Sequence, residues 1–233
     1  MEKVLLRILV SLAVFIGLDL LVGIFLIPEG FASFRTRHYY YHHGLLPGQE
    51  AQAAWGALIY PVHTNSMGMI DSAAYRLKKR SDSHRILVLG DSHSEGVGVP
   101  YPRTFSGRLA RSLKSRGIEV VNASAVSYSQ KIEYLKARYL IMEKGLEVDE
   151  ILVSVDISDI QNELVYEPFE PKERSAAGDL LFRLGNRMKK ASTICYLLDA
   201  VRTQKQRNKF FANIDAFYED ARETPKTNIW ELY

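Results

Sequence analysis

From residue 4 to residue 27 the chain is almost continuously apolar, broken by Arg7 near its start and by Asp19 within it. That is bilayer-spanning length and predicts one transmembrane helix. Between Pro28 and Asp82 no period holds, and turn signals such as Leu46-Pro47-Gly48 and Asn65-Ser66-Met67-Gly68 separate short apolar pieces. The pattern then becomes regular. Ile86, Leu87, Val88 and Leu89 form an uninterrupted apolar run, which predicts a strand covered on both faces. Thr104 caps a helix with Phe105, Leu109 and Leu113 on one face and Gly117 as its stop. A second strand occupies 118–122. Residues 130–144 form a helix presenting Ile132, Leu135, Tyr139 and Met142, and a third strand starts at Ile151.

Strand, helix, strand, helix, strand at this spacing predicts right-handed crossovers and a parallel sheet. The polar strand ends near Ser92, Ser127 and Ser158 then meet on one rim. The chain divides into an anchor (1–28), an irregular juxtamembrane lead-in (29–84) and an α/β domain (85–233). In the last part, amphipathic helices carry Leu180, Leu181, Leu184, Met188, Ile194, Leu197, Leu198 and Val201.

The apolar run is too long for the core of a signal peptide and lacks a small-x-small cleavage site, so it reads as a retained single-pass anchor. Asp19 facing lipid is costly, which points to a partner helix for it or to a segment lying nearer the interface. Lys3 and Arg7 precede the run and Arg35 and Arg37 follow it. The short basic head favours a cytoplasmic amino terminus and an extracytoplasmic domain. Tyr39, Tyr40, Tyr41, His42 and His43 fit an aromatic belt at the membrane surface.

The chain has 233 residues, 47% of them hydrophobic, so a disordered chain is excluded. A net charge of +3 does not call for nucleic acid, and the basic run at 202–209 reads as a solvated helix face. Cys195 stands alone, which excludes an intramolecular disulfide. His38, His42 and His43 lack accompanying carboxylates for a metal, and no cofactor or metal is expected.

The first strand runs into chemistry in "RILVLGDSHSEGVGVP". Gly96 and Gly98 are followed by Tyr101 where a dinucleotide turn needs glycine, and no Walker lysine follows, so both phosphate readings are weak. Gly90-Asp91-Ser92 after the first strand, "NASAVS" (122–127) after the second and "DISD" (156–159) after the third resemble the three leading motifs of the SGNH, or GDSL-type, hydrolase superfamily. Here Ser127 stands in the usual glycine place and Ser158 in the usual asparagine place. "TNSMGMIDS" (64–72) is similar to a segment of membrane-anchored bacterial members associated with envelope polysaccharide, with Ile70 where arginine is usual.

The resemblance implies a three-layer α/β/α sandwich of flavodoxin-like type, with Ser92 as an ester-attacking nucleophile. It implies oxyanion donors at the amides of Ser92 and Ser127 and the side chain of Ser158, with Asp91 fixing the turn and Asp159 lining the site. It also implies a histidine from a later D-x-x-H motif, whereas every histidine here lies at or before His93. Neighbours on a tight turn point apart, so His93 is not expected to serve. With three strands where five are usual, the domain is expected to be incomplete and the chain the front part of a longer protein. The implied ligand is an acyl ester or acylated glycan. The competing expectations are an O-acyltransferase and a noncatalytic glycan-binding module working with envelope polysaccharide assembly proteins.

Overall fold

The computed structural model describes residues 2–26, 34–80 and 82–172, together with 178, 181, 184–185, 192–195, 197–198 and 201–202. Its contacts group residues 1–27 with 182–233, and residues 28–181 separately.

In the first unit the apolar run forms α1 (Glu2–Leu26). Its stretch Lys3–Val22 is long and apolar enough to cross a membrane or to be a signal sequence. Val4, Leu12 and Leu20 are all exposed, so the helix is apolar on every side, as lipid requires. Asp19 does find a partner. Its Oδ1 accepts from Ser192 Oγ at 2.8 Å and from the Ile194 amide at 2.7 Å, while Ser192 Oγ accepts from the Cys195 amide at 3.1 Å. The carboxylate thereby satisfies amides at the start of the helical turn 193–195. Leu197, Leu198 and Val201 are also helical. The expected helical positions Leu180 and Met188, and the basic run beyond Arg202, lie outside the described residues.

The second unit runs β1 (Arg35–His38), β2 (His42–Leu45), β3 (Glu50–Trp55), β4 (Leu58–Thr64), β5 (Ile70–Asp71), β6 (His84–Leu89), α2 (Ser92–Glu95), α3 (Phe105–Lys114), β7 (Ile118–Asn122), α4 (Gln130–Arg138), β8 (Glu150–Val153) and α5 (Ser158–Tyr166). β1 and β2 make a hairpin, and the others one sheet of order β3-β4-β5-β7-β6-β8. β6 is parallel to both β7 and β8, while β3, β4, β5 and β7 pair antiparallel.

The three expected parallel strands are present, but the sheet is mixed, because the lead-in is not irregular and supplies three strands of its own. Its alternation was faint for a physical reason: the inward positions are Ala51 and Ala53 on β3 and Tyr60, Val62 and Thr64 on β4. Two of these are small and one is a threonine, so period-2 hydropathy hardly rises above the turns. The "TNSMG" segment is a turn closed on itself, with Asn65 Oδ1 accepting from the Met67 and Met69 amides at 3.0 and 3.3 Å. Ile70, in the arginine place, is buried in β5.

Leu87 and Leu89 of β6 pack with Val121, Ala137, Leu140 and Leu146, and Val62, Ile70 and Tyr101 build a second cluster with Phe34 and Leu45. Full burial of each large apolar side chain contributes about 1.5–3 kcal/mol. Arg85, 1% exposed, secures the start of β6. Its guanidinium donates to Glu119 Oε2 at 2.8 Å, to the Lys79 and Glu147 carbonyls at 2.9 Å and to the Lys78 carbonyl at 3.0 Å. A buried charge this well bonded costs little.

Three details depart from the periodicity. Thr104 does cap α3, accepting from the Gly107 amide at 3.1 Å, but Phe105 is exposed and the helix packs through Ser106 and Gly107. α4 stops at Arg138 and widens into a π-turn over Tyr139–Glu143, which leaves Met142 exposed. β8 forms the sheet edge, and its apolar run Ile151, Leu152 and Val153 stays exposed.

Candidate active site

The tips of β6, β7 and β8 lie at the same end of the sheet, because the three strands are parallel and in close register. β6 turns sharply at Gly90, where a Cβ would collide with the Ser94 side chain, so only glycine brings strand and helix this close. Asp91 then caps α2, its Oδ1 accepting from the His93 amide at 2.9 Å. Ser92, half-buried, is the first residue of α2, so its amide has no acceptor within the helix. Gly96, in the left-handed conformation, ends this one turn.

Two of the expected site residues converge on a third. Ser92 Oγ donates to Asp91 Oδ2 at 3.3 Å, and Ser158 Oγ, from the start of α5, donates to the same oxygen at 3.4 Å. The Ser158 hydroxyl therefore faces a carboxylate instead of standing open as an oxyanion donor. Asp159 is buried beside it. Its Oδ2 accepts from the Asp156 amide at 2.8 Å and from Gln130 Nε2 at 3.0 Å, and burial raises its carboxyl above the ordinary range.

Ser127 arrives on the loop after β7. The Ala125 amide donates to the Gly90 carbonyl at 3.2 Å, so this loop runs alongside the nucleophile turn. Ser127 itself has φ +57°, the region where glycine is at ease, and among the described residues its amide is bonded to no acceptor.

Sequence reasoning set His93 aside, took Asp156 only as a strand-end acid lining the pocket, and missed Glu95 and Glu133. The His93 Nδ1 lies 2.8 Å from Asp156 Oδ2 and 3.4 Å from Asp91. Hydrogen bonding to Asp91, reinforced by the charges of Asp91 and Asp156, raises its pKa. Asp156 is held below the usual carboxylate value chiefly by hydrogen bonding from Ser158. Ligand atoms of Asp91, His93 and Asp156 all lie within 4.8 Å of one another, the spacing of a metal-ligand set. The signal was in the sequence, as D-x-H at one strand end and D-x-x-D at another, but only parallel pairing of β6 and β8 brings them together.

Glu95 is buried and ties three segments together. Its carboxylate receives Arg35 of β1 at 2.6 and 2.9 Å and the Val126 amide at 2.8 Å. Glu133, 2% exposed, has neither carboxylate oxygen bonded, and burial with the nearby charges of Asp159 and Asp91 pushes it up to about 8.

His43 Nε2 sits 2.7 Å from the Val126 carbonyl, one residue before Ser127. A carbonyl only accepts, so Nε2 carries the proton, and His43 Nδ1 accepts from His42 Nδ1 across 2.7 Å. Desolvation lowers these histidines to about 3 for His43 and about 4 for His42. The aromatic run expected at a membrane surface is therefore packing material inside this unit: Tyr41 is 5% exposed and stacks on His38 at 3.6 Å.

No protein-family profile matches the chain, and no curated protein matches it.

Proposed function

We propose that this chain is a membrane-anchored serine esterase of SGNH type that acts on ester groups, including O-acyl groups of envelope polysaccharide, through an acyl-enzyme on Ser92. The observation carrying this reading is the meeting of the Ser92 and Ser158 hydroxyls on one oxygen of Asp91, at the ends of two adjacent parallel strands. The order β7-β6-β8 supports a doubly wound, flavodoxin-like sandwich, in which the crevice between the first and third strands is the usual ligand site.

Ser92 Oγ attacks the ester carbonyl carbon. The nearest proton acceptor among the described residues is Asp91 Oδ2, which already takes that hydrogen bond. The oxyanion is held by the Ser92 and Ser127 amides, since losing one such donor typically costs about 3–4 kcal/mol. Collapse breaks the ester C–O bond, the departing alkoxide takes the proton, and water or a sugar hydroxyl then empties the acyl-enzyme. Water makes the chain a hydrolase, and a sugar makes it an O-acyltransferase.

Incubating the detergent-solubilised full chain with a fluorophosphonate probe tests this. Labelling confined to Ser92 and absent in Ser92→Ala is expected. An unlabelled wild-type chain overturns the reading. The engagement of the Ser158 hydroxyl by Asp91 favours a second reading, a noncatalytic glycan-binding module. Polysaccharide binding that persists in Ser92→Ala, with no labelling of wild type, selects it.

A further inference from the structure

We propose that Asp91, His93 and Asp156 form a binding site for a divalent transition-metal ion. The three side chains come from two strand ends, Asp91 and His93 after β6 and Asp156 after β8, so the sheet itself fixes their separation. His93 Nδ1 lies 3.4 Å from Asp91 and 2.8 Å from Asp156 Oδ2. Ligand atoms about 2.1 Å from a tetrahedral ion stand roughly 3.4 Å apart; the His93–Asp91 separation matches this, the His93–Asp156 one is shorter, and all three atoms lie within 4.8 Å of one another.

The contacts are also incomplete as they stand. Among the described residues Asp156 Oδ2 is enclosed and has no hydrogen-bond donor beyond its 2.8 Å ion-pair contact with His93 Nδ1. Behind them Asp159, 1% exposed and bonded to the Asp156 amide, leaves Oδ1 without a donor, and buried Glu133 leaves both oxygens so. One imidazole with two carboxylates favours Zn2+ or Mn2+ over Ca2+, and three protein ligands leave positions open. Ser92 and Ser158, both bonded to Asp91, stand beside those positions.

The inference does not rest on acyl transfer. The full chain in detergent, stripped with chelator, is titrated calorimetrically with Zn2+ and Mn2+ and its bound metal counted. One ion per chain is expected. His93→Ala and Asp156→Asn each weaken binding by about ten-fold or more. His93 is largely exposed, so its replacement leaves the fold intact. As a second readout, Co2+ loading gives visible absorption bands that His93→Ala lacks. Absence of a stoichiometric ion, or binding that survives both ligand substitutions, overturns the proposal. Metal binding without Ser92 labelling removes the esterase reading alone, and labelling without metal removes this one alone.

Discussion

Ser127 carries a local backbone cost in the second unit, as does His42 at φ +63°. A non-glycine residue at φ +57° costs about 1–2 kcal/mol, and glycine recovers part of that while losing about 0.5–1 kcal/mol to its looser unfolded chain. Ser127→Gly is therefore expected to stabilise by about 1 kcal/mol or less, a melting-point rise of roughly 1–3 °C. Ser92 labelling persists, because the amide and not the side chain serves the site. Lys136 is also strained, 1% exposed, with its ammonium 4.1 Å from the centre of the Tyr41 ring. Desolvation lowers it to about 7. Between that value and its ordinary one the unfolded chain binds more protons, so this residue's penalty is full at low pH and fades as pH rises. Lys136→Met removes the penalty. Thermal melts should show a stabilisation that is larger at pH 6 than at pH 9.5, and an equal gain at both would refute the assignment.

At the scale of elements, the site depends on segments that carry none of its chemistry. Glu95 joins α2, the loop after β7 and β1, while the Asn122 side-chain amide holds the same short helix by donating to the Ser94 carbonyl at 2.7 Å. Breaking a fully buried ion pair costs about 3–5 kcal/mol. Arg35 keeps a third of its side chain in water, so Glu95→Gln is expected to cost about 2–3 kcal/mol and to slow Ser92 labelling more than an equally destabilising core substitution does. The β1–β2 hairpin acts through His43 in the same way. Protonating His43 sets an N–H against the N–H of His42, so the folded state resists it. The unfolded chain takes up these protons near pH 6.5 and the folded one only near 4 and 3. Stability therefore falls as pH drops below about 6.5, and His43→Gln should flatten the melting temperature between pH 6.5 and 5.

For the molecule as a whole, α1 is long and apolar enough to be a membrane span or a signal sequence, and extraction separates the two. A retained span keeps the intact chain in the membrane pellet after alkaline carbonate extraction, whereas a cleaved signal sequence yields a shorter soluble product. Pelleting at full mass is expected, because the apolar run has no cleavage signature and Asp19 within it is bonded to residues 192 and 194 of the same unit.

The helices α2 and α5 were not legible in the sequence alone, whereas the order β6, α3, β7, α4, β8 and the apolar amino-terminal helix were. Each is written in local pattern: an apolar run, a helix cap, a glycine that a tight turn demands. The lead-in strands were not, because alanines fill the inward positions of β3. Only the tertiary structure decided that Asp156 and His93 meet, that Glu95 holds the loop of Ser127, and that the Ser158 hydroxyl turns to Asp91. Those pairings join residues 31 to 67 positions apart, as Glu95 to Val126 and Asp91 to Ser158 do, and their geometry comes from strand register, which no local pattern encodes.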